Sequence, residues 1–157
     1  MGTYIDIGNS GFQSARNGEY IDKSGLIGII NETLFTERRF SCVTRSRRFG
    51  KSLAAKMLCA YYDRSCQSAQ LFADLEVTKC PSFEKHLNRY PVIYLDISDF
   101  STRFSSDIMT HIQDEVKADI ANAYPDIPVD ESEDLMSFLI RIVKKTNKRE
   151  LNDTLIP

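Results

Sequence analysis

The chain has 157 residues, 42% of them hydrophobic and 27% charged, which fits an ordinary globular domain with one core. A formal net charge of -2 excludes a protein that grips nucleic acid or acidic lipid through overall charge, so any basic function must be local. Cys42, Cys59, Cys66 and Cys80 contain no C-x2-C pair and give no zinc or redox motif.

No basic segment followed by an apolar run opens the chain, and no stretch approaches the roughly 18 apolar residues of a membrane span. Asp6 stands where a myristoylation signal needs Ser or Thr. These features lead us to expect a soluble protein in a reducing cytoplasm, with no membrane partner.

In chain order, Tyr4 to Asn9 reads as a short edge strand or, with Gly8, Gly11 and Gly18 nearby, as turns. Ser24 is placed to cap a helix to about Phe35, with Leu26, Ile29, Ile30 and Leu34 at helical spacing. Phe40 to Thr44 reads as a strand buried on both faces. Beyond Lys51, the spacing of Leu53, Met57, Leu58 and Tyr61 predicts a helix to about Asp63. A loop-rich connection with Leu71, Phe72 and Leu75 follows, and Ser82 opens a short helix ending near Asn88.

Val92 to Ile97, rich in β-branched and aromatic residues after Pro91, is the clearest strand in the sequence. Two further helices are predicted. The first runs from about Ser106 to Ala123 with Ile108, Ile112, Val116 and Ile120 inward. The second runs from about Ser132 to Lys145 with Leu135, Phe138, Leu139, Ile142 and Val143 inward. The tail from Thr146 to Pro157 is expected to fray.

The segment Arg45-Ser46-Arg47-Arg48-Phe49-Gly50-Lys51-Ser52 joins a predicted strand to a predicted helix. Such a junction aims the first helical N–H groups and the positive end of the helix dipole at one spot, where an anion fits. Gly50 allows close backbone approach, Lys51 offers a charge to the β- and γ-phosphates, and the Ser52 hydroxyl suits a magnesium ion. The general motif wants glycine where Arg45 stands, and arginine adopts left-handed backbone angles less readily.

The loop, with Tyr20-Ile21-Asp22-Lys23-Ser24 before it and Tyr90-Pro91-Val92-Ile93-Tyr94-Leu95-Asp96 after it, resembles the AAA-ATPase-like domain common in gut and anaerobic bacteria. In that family the loop reads T-R-P-R-R-F-G-K-S, so Arg45 is a family trait and Ser46 replaces the usual proline. Tyr4 to about Val143 falls within the resemblance. It implies an α/β fold, a P-loop NTPase-like three-layer architecture, here with an incomplete sheet. It also implies ATP with Mg2+ as ligands and Tyr20 to Lys23 near the nucleotide, toward the base. Residues 1–145 then correspond to the N-terminal part of that domain, with 146–157 as a tail.

Hydrolysis also needs a carboxylate at the end of a second strand to hold the metal. Asp96 is the candidate by position, although Ile97 follows where an acidic partner is expected, and a structural role for Asp96 stays open. Asp114-Glu115 reads as a solvated helix face. In the family the acidic strand follows a helix like Leu135 to Val143, and here Lys145 to Leu151 takes that place. The expectation is therefore nucleotide binding with weak or absent hydrolysis.

Two alternatives share the same residues. Arg38, Arg39, Arg45, Arg47, Arg48 and Lys51 put six positive charges into fourteen positions, enough to contact nucleic-acid phosphates. That use calls for stacking aromatics, and the nearby Phe40 and Phe49 are read as core. A protein partner or self-association through an uncovered strand edge is the other alternative. His86 and His111 lack a ligand set and are read as surface residues.

Overall fold

The computed structural model describes residues 3–46, 48–103, 106–130 and 132–153, with the side chains of 143 and 146–153 outside the description. The chain divides into two compact units. One is Asp6–Tyr94; the other joins the segment ending at Ile5 to the chain from Leu95 onward.

The first unit is helical. α1 (Ser10–Arg16), α2 (Gly25–Thr33) and α3 (Lys51–Tyr62) are followed by the short α4 (Ala69–Phe72), a 3-10 turn (Glu76–Lys79) and α5 (Phe83–His86). Phe12, Ile27, Met57, Ala60, Tyr61, Phe72, Leu75 and Val77 form its core. Phe12 stacks on Phe72 at 5.1 Å and meets Tyr20 edge-on at 5.4 Å, so α1 is held by one aromatic side chain. The sequence carries little sign of that helix, because the glycines around it favour turns and Phe12 is its one buried residue.

α2 is rotated from its expected face. Ile27 and Asn31 are buried, whereas Ile29 is 64% exposed. The reason is polar: the Asn31 amide donates to the Tyr61 hydroxyl at 3.0 Å and to Ser82 Oγ at 3.2 Å, and its carbonyl accepts from Tyr62 at 2.7 Å. A fully satisfied buried amide fixes which face turns inward, and hydrophobic spacing carries no record of it. Ser24 is likewise buried, its hydroxyl accepting from Val77 N–H at 3.0 Å instead of capping α2.

The second unit contains α6 (Ile97–Arg103), α7 (Ile108–Ala123) and α8 (Leu135–Asp153). Its core combines Ile5, Phe100, Ile112, Val116, Ile120, Ile127, Phe138 and Ile142, with Ile108, Leu135 and Leu139 packed against it. The inward faces expected for the last two helices are thus found, Val143 lying outside the described side chains. The helical backbone of α8 continues to Asp153, past Lys145 where periodicity ended it.

The α/β three-layer expectation is overturned. The structure is 53% helix and 3% strand, with no sheet among the described residues. Phe40 to Thr44 carries no regular secondary structure and is exposed, Phe40 at 83%. Just before the second expected strand, Tyr90 makes an isolated parallel bridge to Asp63, and within it Val92 exchanges hydrogen bonds with Asp6. Ile97 instead opens α6, because the Asp96 carboxylate accepts the Ser98 N–H at 3.1 Å. β-propensity reports a side chain's fit to a pleated surface; a sheet also requires neighbouring strands for its N–H and C=O groups, and these two runs have none in the described structure.

Candidate nucleotide-phosphate site

α3 starts directly after Gly50, which sits at φ 74° in the left-handed region. The backbone angle favours glycine, and a Cβ there would lie 2.8 Å from Lys23 Nζ and displace that flexible ammonium. Arg48 also has positive φ, at 67°. No side chain caps this end of α3, and the first intrahelical bond runs from Ala54 N–H to Gly50 C=O at 2.9 Å. The opening turn therefore offers its N–H groups and the positive helix end toward the loop.

Lys51 folds back over the loop. Its ammonium donates to the carbonyls of Arg45 at 2.5 Å and Ser46 at 3.1 Å. A second lysine comes from the chain before α2: Lys23 Nζ donates to the Phe49 carbonyl at 2.8 Å. Arg45, Ser46, Arg48, Lys51 and Ser52 are exposed, and Gly50 is partly so. Phe49 is 61% exposed, so neither it nor Phe40 belongs to the core as expected. Arg47 lies outside the described residues.

The structure brings Lys23, the described loop residues and Ser52 into one neighbourhood of the first unit. Read by itself the Tyr20–Ser24 block is a turn, and in the structure it is held through Asp22. The Asp22 carboxylate accepts N–H groups from Ser24 at 2.7 Å and Glu76 at 2.8 Å. Burial opposes its charge, but those two N–H groups outweigh burial and hold its pKa below the usual value. Asp22 thus ties the backbone beside Lys23 to the distant segment at Glu76.

Asp96 belongs to the second unit, where its carboxylate also accepts the Ser98 hydroxyl. Glu115 is paired with Arg103 at 2.9 Å and with the Tyr4 hydroxyl, while Asp114 is exposed. Among the described residues, no three His, Cys, Asp or Glu side chains come together as a metal-ligand group. His86 is buried, not on the surface as expected, with Nδ1 2.6 Å from the Tyr90 hydroxyl and its ring stacked on Tyr90. Burial, assisted by Lys85, lowers its pKa and favours a neutral packing role. The four cysteines are free thiols, and burial pushes that of Cys59 up to about 11, far from a nucleophile. No helix among the described residues is long and apolar enough to cross a membrane.

A helix that starts at glycine, an arginine-rich loop before it and two lysines make this part of the first unit basic. The family model described as "Predicted AAA-ATPase" matches residues 6–156, and the chain belongs to this AAA-ATPase-like family. No curated protein and no solved structure shows significant similarity to it.

Proposed function

We propose that the chain binds a nucleoside triphosphate, ATP with Mg2+, at the Arg45–Ser52 loop, and that it turns ATP over weakly or not at all. The observation that carries this reading is the ammonium of Lys51 drawn across the loop onto two of its own carbonyls, at the open start of a helix. Phosphate oxygens are stronger acceptors than carbonyls and can take the same ammonium. The α3 N–H groups, Lys51, and the arginines at 45, 47 and 48 then share the triphosphate charge. None of this depends on a sheet, because the helix start supplies the oriented N–H groups by itself.

A magnesium ion on a triphosphate keeps several waters and takes most of its other ligands from phosphate. The exposed Ser52 hydroxyl on the second residue of α3 fits that modest demand. The ion's part is to neutralise phosphate charge. Slow turnover is proposed because Asp96, the carboxylate singled out for a metal role, is engaged with Ser98 at the start of α6.

Calorimetric titration of MgATP into the chain and its Lys51→Ala variant tests the reading. Saturable binding that Lys51→Ala loses is expected, and absence of binding to the unaltered chain overturns it. ATP hydrolysis at an ordinary ATPase rate would remove the turnover claim alone.

A second reading draws on the exposure of Phe40 and Phe49 beside the arginines, with Arg39 4.9 Å from the Phe40 ring centre. Exposed rings next to cations are what single-stranded nucleic acid stacks on. Binding to a single-stranded oligonucleotide that weakens steeply as salt rises, and is indifferent to MgATP, would favour it.

A further inference from the structure

The Tyr20–Ser24 block delivers one lysine to the loop from a firmly held backbone. On one side of Lys23, Asp22 is bonded to Ser24 N–H and Glu76 N–H; on the other, buried Ser24 accepts Val77 N–H. Tyr20 packs edge-on against Phe12, carries Arg16 over its ring at 5.1 Å, and donates its hydroxyl to Met57 Sδ at 3.3 Å on α3. The backbone of the residue between these anchors is held on both sides, and its exposed side chain reaches the loop with a hydrogen bond of 2.8 Å.

That place is the Phe49 carbonyl. No peptide bond is cis among the described residues, so the carbonyl of Phe49 and the N–H of Gly50 point in opposite directions. Holding the carbonyl on Lys23 therefore turns the Gly50 N–H the other way. Arg48, one residue before this peptide, holds a left-handed angle that is strained for a non-glycine residue, and Gly50 holds one that glycine adopts readily. A carbonyl turned into an anion site repels the anion, whereas an N–H attracts it.

We propose that Lys23 is a positioning residue of the phosphate site, an ammonium that fixes the Phe49–Gly50 peptide for anion binding. The assignment rests on the nucleotide reading above. The two lysines have different fates in it. Lys51 must release the carbonyls of Arg45 and Ser46 when its ammonium serves a phosphate, whereas Lys23 keeps its carbonyl throughout. Once Lys51 has left, the Lys23 contact is what continues to hold the loop from outside it.

The test uses the full chain and its Lys23→Ala, Lys23→Arg and Lys51→Ala variants, with MgATP affinity by calorimetry and amide hydrogen exchange across the loop without nucleotide. The Lys23 side chain is exposed, and equal unfolding midpoints will show the variants folded. Loss of a charge-assisted hydrogen bond predicts about 10-fold weaker MgATP binding in Lys23→Ala. Loop exchange should be faster in that variant, and Lys23→Arg, which keeps a cationic donor, should restore most of both. Unchanged affinity in Lys23→Ala, with binding still lost in Lys51→Ala, overturns the Lys23 assignment and leaves the nucleotide reading standing. Lys23→Arg as weak as Lys23→Ala also overturns it. If the unaltered chain binds no MgATP, the nucleotide reading falls and the assignment falls with it.

Discussion

Gly50 meets two constraints at once, a positive φ of 74° and an ammonium 2.8 Å from where a Cβ would stand. Gly50→Ala must therefore strain the backbone and displace the Lys23 ammonium that bonds the Phe49 carbonyl. A left-handed alanine costs about 1–2 kcal/mol, and the same shift misaims the first N–H groups of α3. We expect a small fall in the unfolding midpoint and a much larger loss of MgATP affinity, read by thermal unfolding and calorimetry on one preparation. Wild-type affinity in Gly50→Ala would show that the helix start is not where the nucleotide sits.

In the second unit the Asp119 carboxylate accepts the N–H groups of Thr3 at 2.9 Å, Tyr4 at 2.7 Å and Ile5 at 2.9 Å. Partial burial opposes its charge, but these donors prevail and lower its pKa. A depressed carboxylate contributes stability that is complete above its unfolded value of about 3.9 and is lost as pH falls through the folded value. Asp119→Ala should cost about 1–3 kcal/mol near neutral pH, from three lost acceptor bonds. The difference from wild type should shrink as the medium is acidified below about pH 4. Denaturant unfolding at pH 7 and pH 3 checks both halves of this expectation.

At the scale of elements, α7 and α8 were legible because a continuous apolar stripe on a long helix leaves one way to turn. Phe138 and Ile142 are buried on α8, while Met136 on the same helix is 65% exposed. Phe138→Ala should cost about 3–5 kcal/mol, and Met136→Ala less than about 0.5 kcal/mol. Equal costs in chemical denaturation would mean that the stripe has been placed on the wrong face. α2 was legible in position but not in rotation, because Asn31 bonding to Tyr61, Tyr62 and Ser82 decides its buried face. α1 and the 3-10 turn are too short to show a period. The two β-like runs failed for a different reason: a strand is a property of a pair, and the residues of one run do not say whether a partner is present.

For the whole molecule, the motif proved more informative about location than about architecture. The Gly50-Lys51-Ser52 triplet stands at the start of a helix as the sequence required, yet no sheet lies behind it in the described residues. In a sheet-backed loop, hydrogen bonds from flanking strands would restrain both ends. Here the restraints visible in the first unit are the lysine contacts of Lys51 and Lys23 and the left-handed turns at Arg48 and Gly50. Such a loop has an ordering cost left to meet when a ligand arrives.

MgATP should therefore stabilise the first unit by an amount that grows with the logarithm of its concentration above Kd. At about 100-fold excess over Kd, a ligand confined to the folded state adds about 2.7 kcal/mol. The unfolding midpoint should therefore climb with MgATP concentration in the unaltered chain and stay flat in Lys51→Ala. Hydrogen exchange should place the new protection at 45–54, at the loop and the first turn of α3. Protection confined to the second unit would move the nucleotide site away from Lys51 altogether, whereas protection at the loop with a flat midpoint would mean that binding there is too weak to compete with unfolding.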